Sequence, residues 1–327
     1  LHNGPQRSKP FAMPTNSIAC MQIFSQSLKL MGNNFTISVV DEDESVAQTH
    51  IQTAIDEIRR IEQLFTTFKC DSQTNLINDN AGLQPVMVDK EVYDLIERSI
   101  AISKITQGAF DISYGSIDKS LWNFDKTMTK LPSVEEAKKI VHLINYQNIV
   151  LNPANHSVFL KEKGMRIGFG GIGKGYAAEM VKRLLIKNGV QSGIINASGD
   201  LTTWGNQPDG KPWTIGIADP DRPQAAFSYI EISNKAVATS GNYEKFILID
   251  GKKYSHTIDP KTGLPISGIK SVTVISNNAE LADAMATPIA VMGINAGLYL
   301  INQMPDLYCI IIDDHNKVYT SKNIHLK

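Results

Sequence analysis

Residues 165–176 read MRIGFGGIGKGY, a short apolar run that passes through repeated glycines into a segment with lysine and tyrosine. Such a run is typical of a strand that turns through glycines into a helix. The first backbone N–H groups of a helix have no partner within it, and they point toward any anion at its end. The stretch therefore predicts a phosphate site between a strand and a helix.

Two phosphate-binding patterns nearly match this stretch. The glycine spacing fits the dinucleotide-binding pattern, but Asn196 stands where an acidic residue is expected after the next strand, and strands and helices do not alternate regularly. The run from Gly168 to Lys174 fits the spacing of a P-loop, but Gly175 replaces the hydroxyl residue that holds Mg²⁺. A third interpretation is structural, because glycines also let a helix pack closely on a strand. The stretch alone leaves these interpretations open.

The composition is that of an ordinary globular protein. The chain has 327 residues, of which 42% are hydrophobic and 20% are charged, and its net charge is -1. A nearly neutral chain has no basic field with which to hold a polyanion, so we expect no nucleic-acid partner. No apolar run approaches the ~20 residues that span a bilayer. Cys20, Cys70 and Cys309 are too widely spaced to indicate a disulfide framework or a zinc site.

Apolar periodicity on both sides of the glycine stretch predicts a mixture of helices and strands. Two paired strands are predicted around a turn at 31–34, and later strands around 194–195, 213–217, 246–249 and 272–275. Helices are predicted at 47–65, 92–105, 176–187 and 280–292, and a capping box at 133–136 begins another. Polar loops are predicted at 69–83 and, as a flexible ligand-binding loop, at 196–200.

The order of these elements shows neither regular alternation nor a fixed repeat, so we predict an α+β fold with a mixed sheet and two packed subdomains. Residues 1–25 mix prolines and polar residues without periodicity. We therefore expect a flexible N-terminal tail there, a folded domain over 26–322 and a short C-terminal tail over 323–327. Because the first residue is Leu1, we also expect a processed or trimmed N-terminus.

His256 lies on a strand that is predicted to follow a tight turn. Asp250 and Gly251 separate two apolar runs, which indicates a β-hairpin, and residues 259–263 end the second strand with turn-forming side chains. An imidazole there would lie on a rigid rim and could accept a proton near neutral pH. A lone histidine on a strand is more often a packing residue, so His256 needs companions before it indicates a site.

Asp283 and Thr287 are four residues apart on a predicted helix, which Asn278 caps. That spacing places a carboxylate and a hydroxyl on one helical face, and Mg²⁺ uses such oxygen ligands together with substrate phosphates. Pro288 cannot donate a hydrogen bond to the carbonyl of Ala284, so we expect a kink and a free backbone oxygen. The alternative is a structural pair that caps or bends the helix.

Taken together, four motifs in the second half of the chain resemble the ApbE family, the FAD:protein FMN transferases. They are GGIGKGY at 170–176, NASGD at 196–200, HTIDPKTG at 256–263 and ADAMAT at 282–287. The first half is similar to the family's flavin-side motifs at 31–32, 65–68, 71–72, 108–111 and 121–122. The likeness covers residues 26–322 and implies an α+β fold of the ApbE type.

The resemblance implies a reaction in which a Thr or Ser hydroxyl of a target protein attacks the FMN phosphorus of FAD and releases AMP. It implies that Mg²⁺ is held by Asp283, Thr287, the main chain at Ala286 and the carbonyl of Gly171, and that His256 accepts the proton of the incoming hydroxyl. Phosphoryl transfer depends on positioning and charge neutralisation, which suits these roles. The implied FAD contacts are Met31, Phe68, Ala109, Phe110, Asp111, Gly168, Lys174 and Thr257.

Three positions depart from the family pattern. Gly168 stands where an Asp is common, which removes a hydrogen-bond acceptor for the flavin. Gly173 replaces the usual Ala, and Phe68 replaces a frequent Tyr, which keeps a stacking face but loses a hydroxyl. None of these changes affects the implied metal ligands.

Other functions would use the same contacts. In an FAD pyrophosphatase, water takes the place of the protein hydroxyl, and a flavin-binding protein would hold FAD without transferring it. An NAD- or NTP-dependent enzyme built on the glycine stretch is a further alternative.

The resemblance also implies an acceptor protein and a location. The expected acceptor is a redox-complex subunit with a Thr or Ser flavinylation site. Family members are commonly exported lipoproteins, so we expect the periplasmic side of the bacterial inner membrane or the periplasm, with the cytoplasm as the alternative. Residues 17–20 follow no apolar run and make a poor lipidation site, so membrane anchoring would act through a removed or trimmed N-terminus.

Overall fold

A computed structural model of the chain describes residues 20–122, 125, 127–241, 245–322 and 324. The described α-helices are α1 (Glu44–Phe65), α2 (Gln73–Asp79), α3 (Lys90–Ile105), α4 (Val134–Ile140), α5 (Gly173–Lys187), α6 (Ala279–Met292) and α7 (Ile294–Ile301). Short 3₁₀ helices cover Ile112–Ser116 and Tyr146–Asn148.

The strands in the first part of the chain are β1 (Gln22–Leu30), β2 (Asn33–Asp41), β3 (Val86–Met87), β4 (Ile149–Asn152) and β5 (Ser157–Leu160). After α5 follow β6 (Gly193–Ala197), β7 (Asp200–Trp204), β8 (Trp213–Asp219), β9 (Arg222–Ile232), β10 (Ala236–Gly241), β11 (Phe246–Ile249), β12 (Lys252–Ile258), β13 (Pro265–Ser267), β14 (Ile269–Ser276), β15 (Leu307–Asp313) and β16 (Val318–Thr320). The predicted α+β fold is confirmed.

An antiparallel sheet of eight strands forms the centre of the fold, in the order β1-β2-β6-β7-β10-β14-β15-β16. Smaller sheets are formed by β11-β12-β13, by β3-β5-β4 and by the hairpin β8-β9. Helices α1, α5 and α6 contact strands of the central sheet, and α5 and α6 pack directly on each other. The glycine stretch and the segment around Asp283 therefore lie side by side.

Two hydrophobic cores lie on opposite faces of the central sheet, because successive side chains of a strand point in opposite directions. Val39 and Ile311 belong to the core beneath the helices, whereas their neighbours Val40 and Ile310 belong to the core beneath β8 and β9. The first core includes residues from both halves of the chain. The predicted domain boundaries and the division into two subdomains stay predictions.

Several local predictions are confirmed. The turn between β1 and β2 has positive φ at Met31 and Gly32, as a tight hairpin requires. The Ser133 side chain and Glu136 form the predicted capping box of α4. Asn278 caps α6, because its side chain accepts a hydrogen bond from the N–H of Leu281 at 3.1 Å.

The strand predicted at the start of the glycine stretch is wrong. The N–H of Ile167 donates to Oδ1 of Asn78 at 2.7 Å, and the carbonyl of Ile167 accepts from Nδ2 of the same side chain at 3.0 Å. The N–H of Gly168 donates to the carbonyl of Ile112 at 2.9 Å. The backbone is satisfied by an asparagine side chain and a 3₁₀ helix instead of a neighbouring strand.

Two of the predicted loops are also more ordered than expected. The segment 69–83 contains α2, which Ser72 caps by accepting a hydrogen bond from the N–H of Asn75 at 3.0 Å. The segment 196–200 is a tight turn between β6 and β7, in which Ser198 and Gly199 have positive φ. The Asn196 side chain stabilises it by accepting from the N–H of Gly199 at 2.8 Å.

At the ends of the chain, residues 1–19, 323 and 325–327 lie outside the described residues, so most of the predicted tails lie there too. Strand β1 begins at Gln22, inside the segment 1–25 that we expected to be a flexible tail. Among the described helices, none has the length and apolar character needed to cross a membrane.

Candidate active site

One cavity of about 400 Å³ brings together segments that are far apart in the chain. It lies among the 3₁₀ turn after α3, the glycine stretch, β12 and α6. Eight of the predicted site residues line it: Ala109, Phe110, Asp111, Gly168, Gly171, His256, Thr257 and Thr287. The cavity therefore brings together some of the residues that the family resemblance assigns to FAD binding, to the metal and to proton transfer.

The glycine stretch presents bare backbone to this cavity. A Cβ atom added at Gly170 would have no neighbour within 4 Å, and one added at Gly168 would meet only Thr67, whose Cγ2 would be 3.9 Å away. Gly171 is more enclosed, because its Cβ would lie 3.4 Å from the ring of Phe110. Ligand atoms can therefore approach the main chain at Gly168 and Gly170 without displacing a side chain.

Gly175 has a different role, which is to let α5 approach α6. A Cβ atom at this position would lie 2.2 Å from the carbonyl oxygen of Ala279 and 2.6 Å from Cβ of Asp283. The N–H of Gly175 donates to Oδ2 of Asp283 at 2.8 Å. The packing interpretation of the glycines is thus correct at Gly175, although the partner is a helix and not a strand.

Asp283 is a buried carboxylate with mixed electrostatic surroundings. Burial is the main cause that raises its pKa, the nearby Asp200 carboxylate raises it further, and Lys174 and the hydrogen bond from Gly175 oppose both. Lys174 forms an ion pair with Asp200, with Nζ 2.9 Å from Oδ2. A buried carboxylate of this kind is stabilised as an anion when a cation binds beside it.

The oxygen atoms near Asp283 suit a small, hard cation. Thr287 lines the cavity one helical turn after Asp283, and its Oγ1 is 3.4 Å from Oγ of Ser240. The described residues contain no cluster of three or more His, Cys, Asp or Glu side chains that could hold a metal. One carboxylate, one hydroxyl and main-chain oxygens fit Mg²⁺, which commonly completes its shell with waters and phosphates.

His256 lies on β12, lines the same cavity and is half-buried. Burial is the main cause that lowers the pKa of its imidazole; a hydrogen bond with the Lys245 backbone opposes this effect, and the charge of Lys245 adds to it more weakly. The neutral imidazole, which can accept a proton, is therefore favoured at neutral pH. The next two residues are also held in place, because the N–H of Thr257 donates to Oγ of Ser255 at 3.1 Å and the N–H of Ile258 donates to the hydroxyl of Tyr114 at 3.3 Å.

Asp111 is largely engaged by the protein itself. Its carboxylate accepts hydrogen bonds from the N–H and Oγ of Ser113 at 2.8 and 2.6 Å, and from the N–H of Tyr146 at 2.8 Å. Burial raises its pKa, and these hydrogen bonds oppose the increase. The side chain thus fixes the turn that presents Ala109 and Phe110 to the cavity.

Five predicted site residues lie outside the cavity lining: Met31, Phe68, Lys174, Asp283 and Ala286. Met31 lies beside the start of α5, with its Cε 3.7 Å from the Cβ position of Gly173. Phe68 is 97% exposed, so its aromatic face is available to a ligand. Ala286 is buried in α6. The roles assigned to all the site residues stay predictions.

Some lining residues were not singled out by the sequence. Tyr114 reaches β12 across the fold, and no local pattern signals that contact. Val291 follows Thr287 by four residues on α6, so helical spacing was a signal that could have found it.

Comparison with known proteins agrees with this architecture. The model of the ApbE family matches residues 31–311. The FAD:protein FMN transferase of Klebsiella pneumoniae (strain 342) is 31% identical over 308 residues, which are 94% of this chain and 94% of that protein. The protein of the same name from Salmonella typhimurium is 33% identical over 276 residues, covering 81% of this chain and 77% of that protein.

Solved structures show the same fold. The ApbE protein of Thermotoga maritima has a TM-score of 0.81 and 30% identity, over 92% of this chain and 97% of that one. The apo form of the flavinyl transferase ApbE of Pseudomonas stutzeri has a TM-score of 0.80 and 25% identity, over 93% and 96%. The fold and the relatives define the class, that of flavin-transferring enzymes. Within that class, the chain belongs to the ApbE family, as the sequence motifs predicted.

Proposed function

We propose that the protein transfers the FMN half of FAD to a Thr or Ser hydroxyl of an acceptor protein, with Mg²⁺ as cofactor and AMP as the second product. The hydroxyl oxygen forms a bond to the FMN phosphorus, the bond from that phosphorus to the bridging pyrophosphate oxygen breaks, and AMP leaves with that oxygen. The observation that carries the proposal is the single cavity that His256, the glycine stretch and Thr287 share.

His256 is assigned to the attacking hydroxyl. Its lowered pKa favours the neutral imidazole, and a neutral imidazole can accept the proton that the hydroxyl loses. The tight turn after Ile249 and the hydrogen bond from Ile258 to Tyr114 hold β12 in place on both sides of His256. A rigid base suits phosphoryl transfer, which depends strongly on the orientation of the attacking atom.

The metal is assigned to the side of the site formed by the glycine stretch and α6. Asp283, Thr287, the main chain at Ala286 and the carbonyl of Gly171 would hold Mg²⁺, which when bound neutralises charge on the pyrophosphate. The proximity of Gly171 and Thr287 in the cavity lining and the burial of Asp283 support this assignment. Lys174 would add a second positive charge, although here it pairs with Asp200.

FAD is assigned to the bare backbone and the aromatic groups. The contacts proposed from the resemblance are Met31, Phe68, Ala109, Phe110, Asp111, Gly168, Lys174 and Thr257. The accessible main chain at Gly168 and the exposed ring of Phe68 support this arrangement. The engagement of the Asp111 carboxylate by Ser113 and Tyr146 suggests that this residue contributes through its backbone.

The direct test incubates the protein with FAD, Mg²⁺ and a redox-complex subunit that normally carries phosphoester-linked FMN, produced here without its flavin. The expected result is an acceptor band that stays fluorescent under denaturing conditions, only when Mg²⁺ is present. Release of FMN and AMP without acceptor would instead support the pyrophosphatase. Binding of FAD without either product would support a flavin-binding protein.

The acceptor and the location complete the proposal. We propose a redox-complex subunit as the acceptor and the periplasmic side of the inner membrane as the place of action, on the resemblance to exported family members. Fractionation of cells that express the complete gene would test the location, and recovery of the protein with cytoplasmic markers would contradict it.

A further inference from the structure

A polar network lies behind the glycine stretch, outside the cavity. Tyr176 follows Gly175 on α5, and its hydroxyl donates to Oε1 of Glu91 on α3 at 2.5 Å. Glu91 also accepts two hydrogen bonds from Arg60 on α1, at 2.7 and 3.0 Å. Charge-assisted, bidentate pairs of this kind fix geometry better than single neutral hydrogen bonds. The position of Tyr176 is therefore set by both α1 and α3.

The same network reaches the helix that carries the proposed metal ligands. The guanidinium of Arg98 lies 5.8 Å from the ring centre of Tyr176. It also forms two hydrogen bonds of 2.8 Å with the carboxylate of Glu280. Glu280 lies in the first turn of α6, one turn before Asp283. Movement of Tyr176 would therefore disturb the start of α6.

The ring of Tyr176 also supports the glycine stretch. Phe65 packs edge-on against Tyr176, with ring centres 5.5 Å apart, and against Phe169, with ring centres 4.8 Å apart. Phe169 lies between Gly168 and Gly170, so its ring anchors the backbone that lines the cavity. This anchor is aromatic and buried, whereas the glycines beside it have no side chains of their own.

We propose that Tyr176 is a positioning residue, which holds the glycine stretch with Gly171 at a fixed distance from Asp283 and Thr287 on α6. The inference rests on the proposed function, because it concerns the geometry of the proposed Mg²⁺ ligands. Those ligands come from separate elements, so a small relative shift weakens metal binding before the fold is lost. Tyr176 itself touches neither metal nor substrate in this role.

The protonation states of Tyr176 and Glu91 at neutral pH suit this hydrogen bond. Burial and the neighbouring Glu91 raise the pKa of Tyr176, so its hydroxyl stays protonated. Burial raises the pKa of Glu91 too, but the hydrogen bonds from Arg60 and Tyr176 outweigh it and leave that pKa below its ordinary value. The donor and the charged acceptor are thus both present at neutral pH.

The test is Tyr176→Phe, which removes only the hydroxyl, with Tyr93→Phe as the matched control. Tyr93 is another buried tyrosine, on α3, and it belongs to neither the network nor the cavity lining. Mg²⁺ is titrated by calorimetry into each protein in the presence of AMP, which cannot be cleaved as FAD can. We expect Tyr176→Phe to bind Mg²⁺ about five to ten times more weakly than the unchanged protein. Tyr93→Phe is expected to bind it normally.

A second variant keeps the inference testable if Tyr176→Phe folds poorly. Glu280→Gln removes the charge that pairs with Arg98 and one of its two hydrogen-bond acceptors at the start of α6, so it should also weaken Mg²⁺ binding. Normal Mg²⁺ affinity in folded Tyr176→Phe would overturn the inference, and so would equal losses in Tyr176→Phe and Tyr93→Phe. If Tyr176→Phe does not fold, normal affinity in Glu280→Gln would overturn it. Absence of Mg²⁺ binding by the unchanged protein would instead overturn the metal assignment of the proposed function.

Discussion

The imidazole of His256 shows how burial prepares one residue for its proposed role. Its pKa is lowered by burial, and the opposing hydrogen bond with the Lys245 backbone does not cancel this effect. The neutral form accepts the proton, and its fraction falls only as the pH drops through the lowered pKa. We predict that kcat/KM for flavin transfer stays high below the ordinary histidine pKa of ~6.5 and declines in more acidic buffer. An acidic limb centred at or above the ordinary value, measured in a pH series, would contradict this role.

A substitution at Gly168 tests the proposed contact between this position and FAD. The position is open, since an added Cβ would meet only Thr67 at 3.9 Å. We predict that Gly168→Asp, which restores the carboxylate common in the family, binds FAD more tightly without loss of stability. Quenching of flavin fluorescence measures the affinity.

Gly170→Asp is the control for Gly168→Asp, because it adds the same charge at a neighbouring open position of the cavity. It should not strengthen FAD binding. Equal affinities of Gly168→Asp and the unchanged protein would show that the flavin does not use this position.

Residues of the candidate site could be predicted when they belong to a sequence motif. They could not be predicted when only the folding of the chain places them beside the cavity. His256, Gly171 and Thr287 were recognised from motifs, and the structure places all three around one cavity. Tyr114 joins them only because its hydroxyl contacts β12, 144 positions along the chain. No local spacing encodes that distance. Their chemical roles depend on a bound substrate and stay predictions.

The contact between α5 and α6 is the element on which the proposed metal site depends. At Gly175 an added methyl group would lie 2.2 Å from the carbonyl oxygen of Ala279. At Gly173 the same group would meet Phe169 at 3.5 Å and Met31 at 3.7 Å, which are ordinary contacts. We predict that Gly175→Ala lowers the free energy of unfolding by about 1–3 kcal/mol. It should also weaken Mg²⁺ binding, because the N–H of Gly175 bonds Asp283.

Gly173→Ala is the matched control on the same helix, and the family usually has alanine there. We expect its free energy of unfolding to stay within ~1 kcal/mol of the unchanged protein, because less chain entropy is lost when alanine folds. Urea denaturation of both variants provides the comparison. Equal stability of the two would mean that α5 and α6 are not closely packed at Gly175.

Elements were predictable where their signal is local. Seven apolar residues of α1 are buried, as the helical spacing at 47–65 indicated, whereas Leu64 is only partly buried. The Asp250–Gly251 turn joins β11 to β12 as expected. The prediction of a strand at the start of the glycine stretch was wrong, because the backbone there bonds to Asn78 and Ile112, which lie far away in sequence. Helix α2 was missed because its polar composition outweighed the Ser72 cap.

At the scale of the whole molecule, the α+β class followed from the order of elements, but the sheet order did not. Strand β2 pairs with β6, so that Phe35 lies opposite Ala197, and β10 lies between β7 and β14. The hydrophobic periodicity of a strand does not indicate which distant strand it pairs with, so the strand order could not be predicted from it. The ApbE resemblance supplied the architecture that periodicity could not.

The central claim is that one cavity couples a protein hydroxyl to the FMN phosphorus, and the stoichiometry of the two products tests it most directly. AMP release and covalently attached flavin are quantified in one reaction with acceptor, for the unchanged protein and for His256→Gln. We predict one AMP for each flavin attached, and losses of both products by about 10²–10⁴ in His256→Gln. AMP released in excess of attached flavin, or full transfer by His256→Gln, would contradict it.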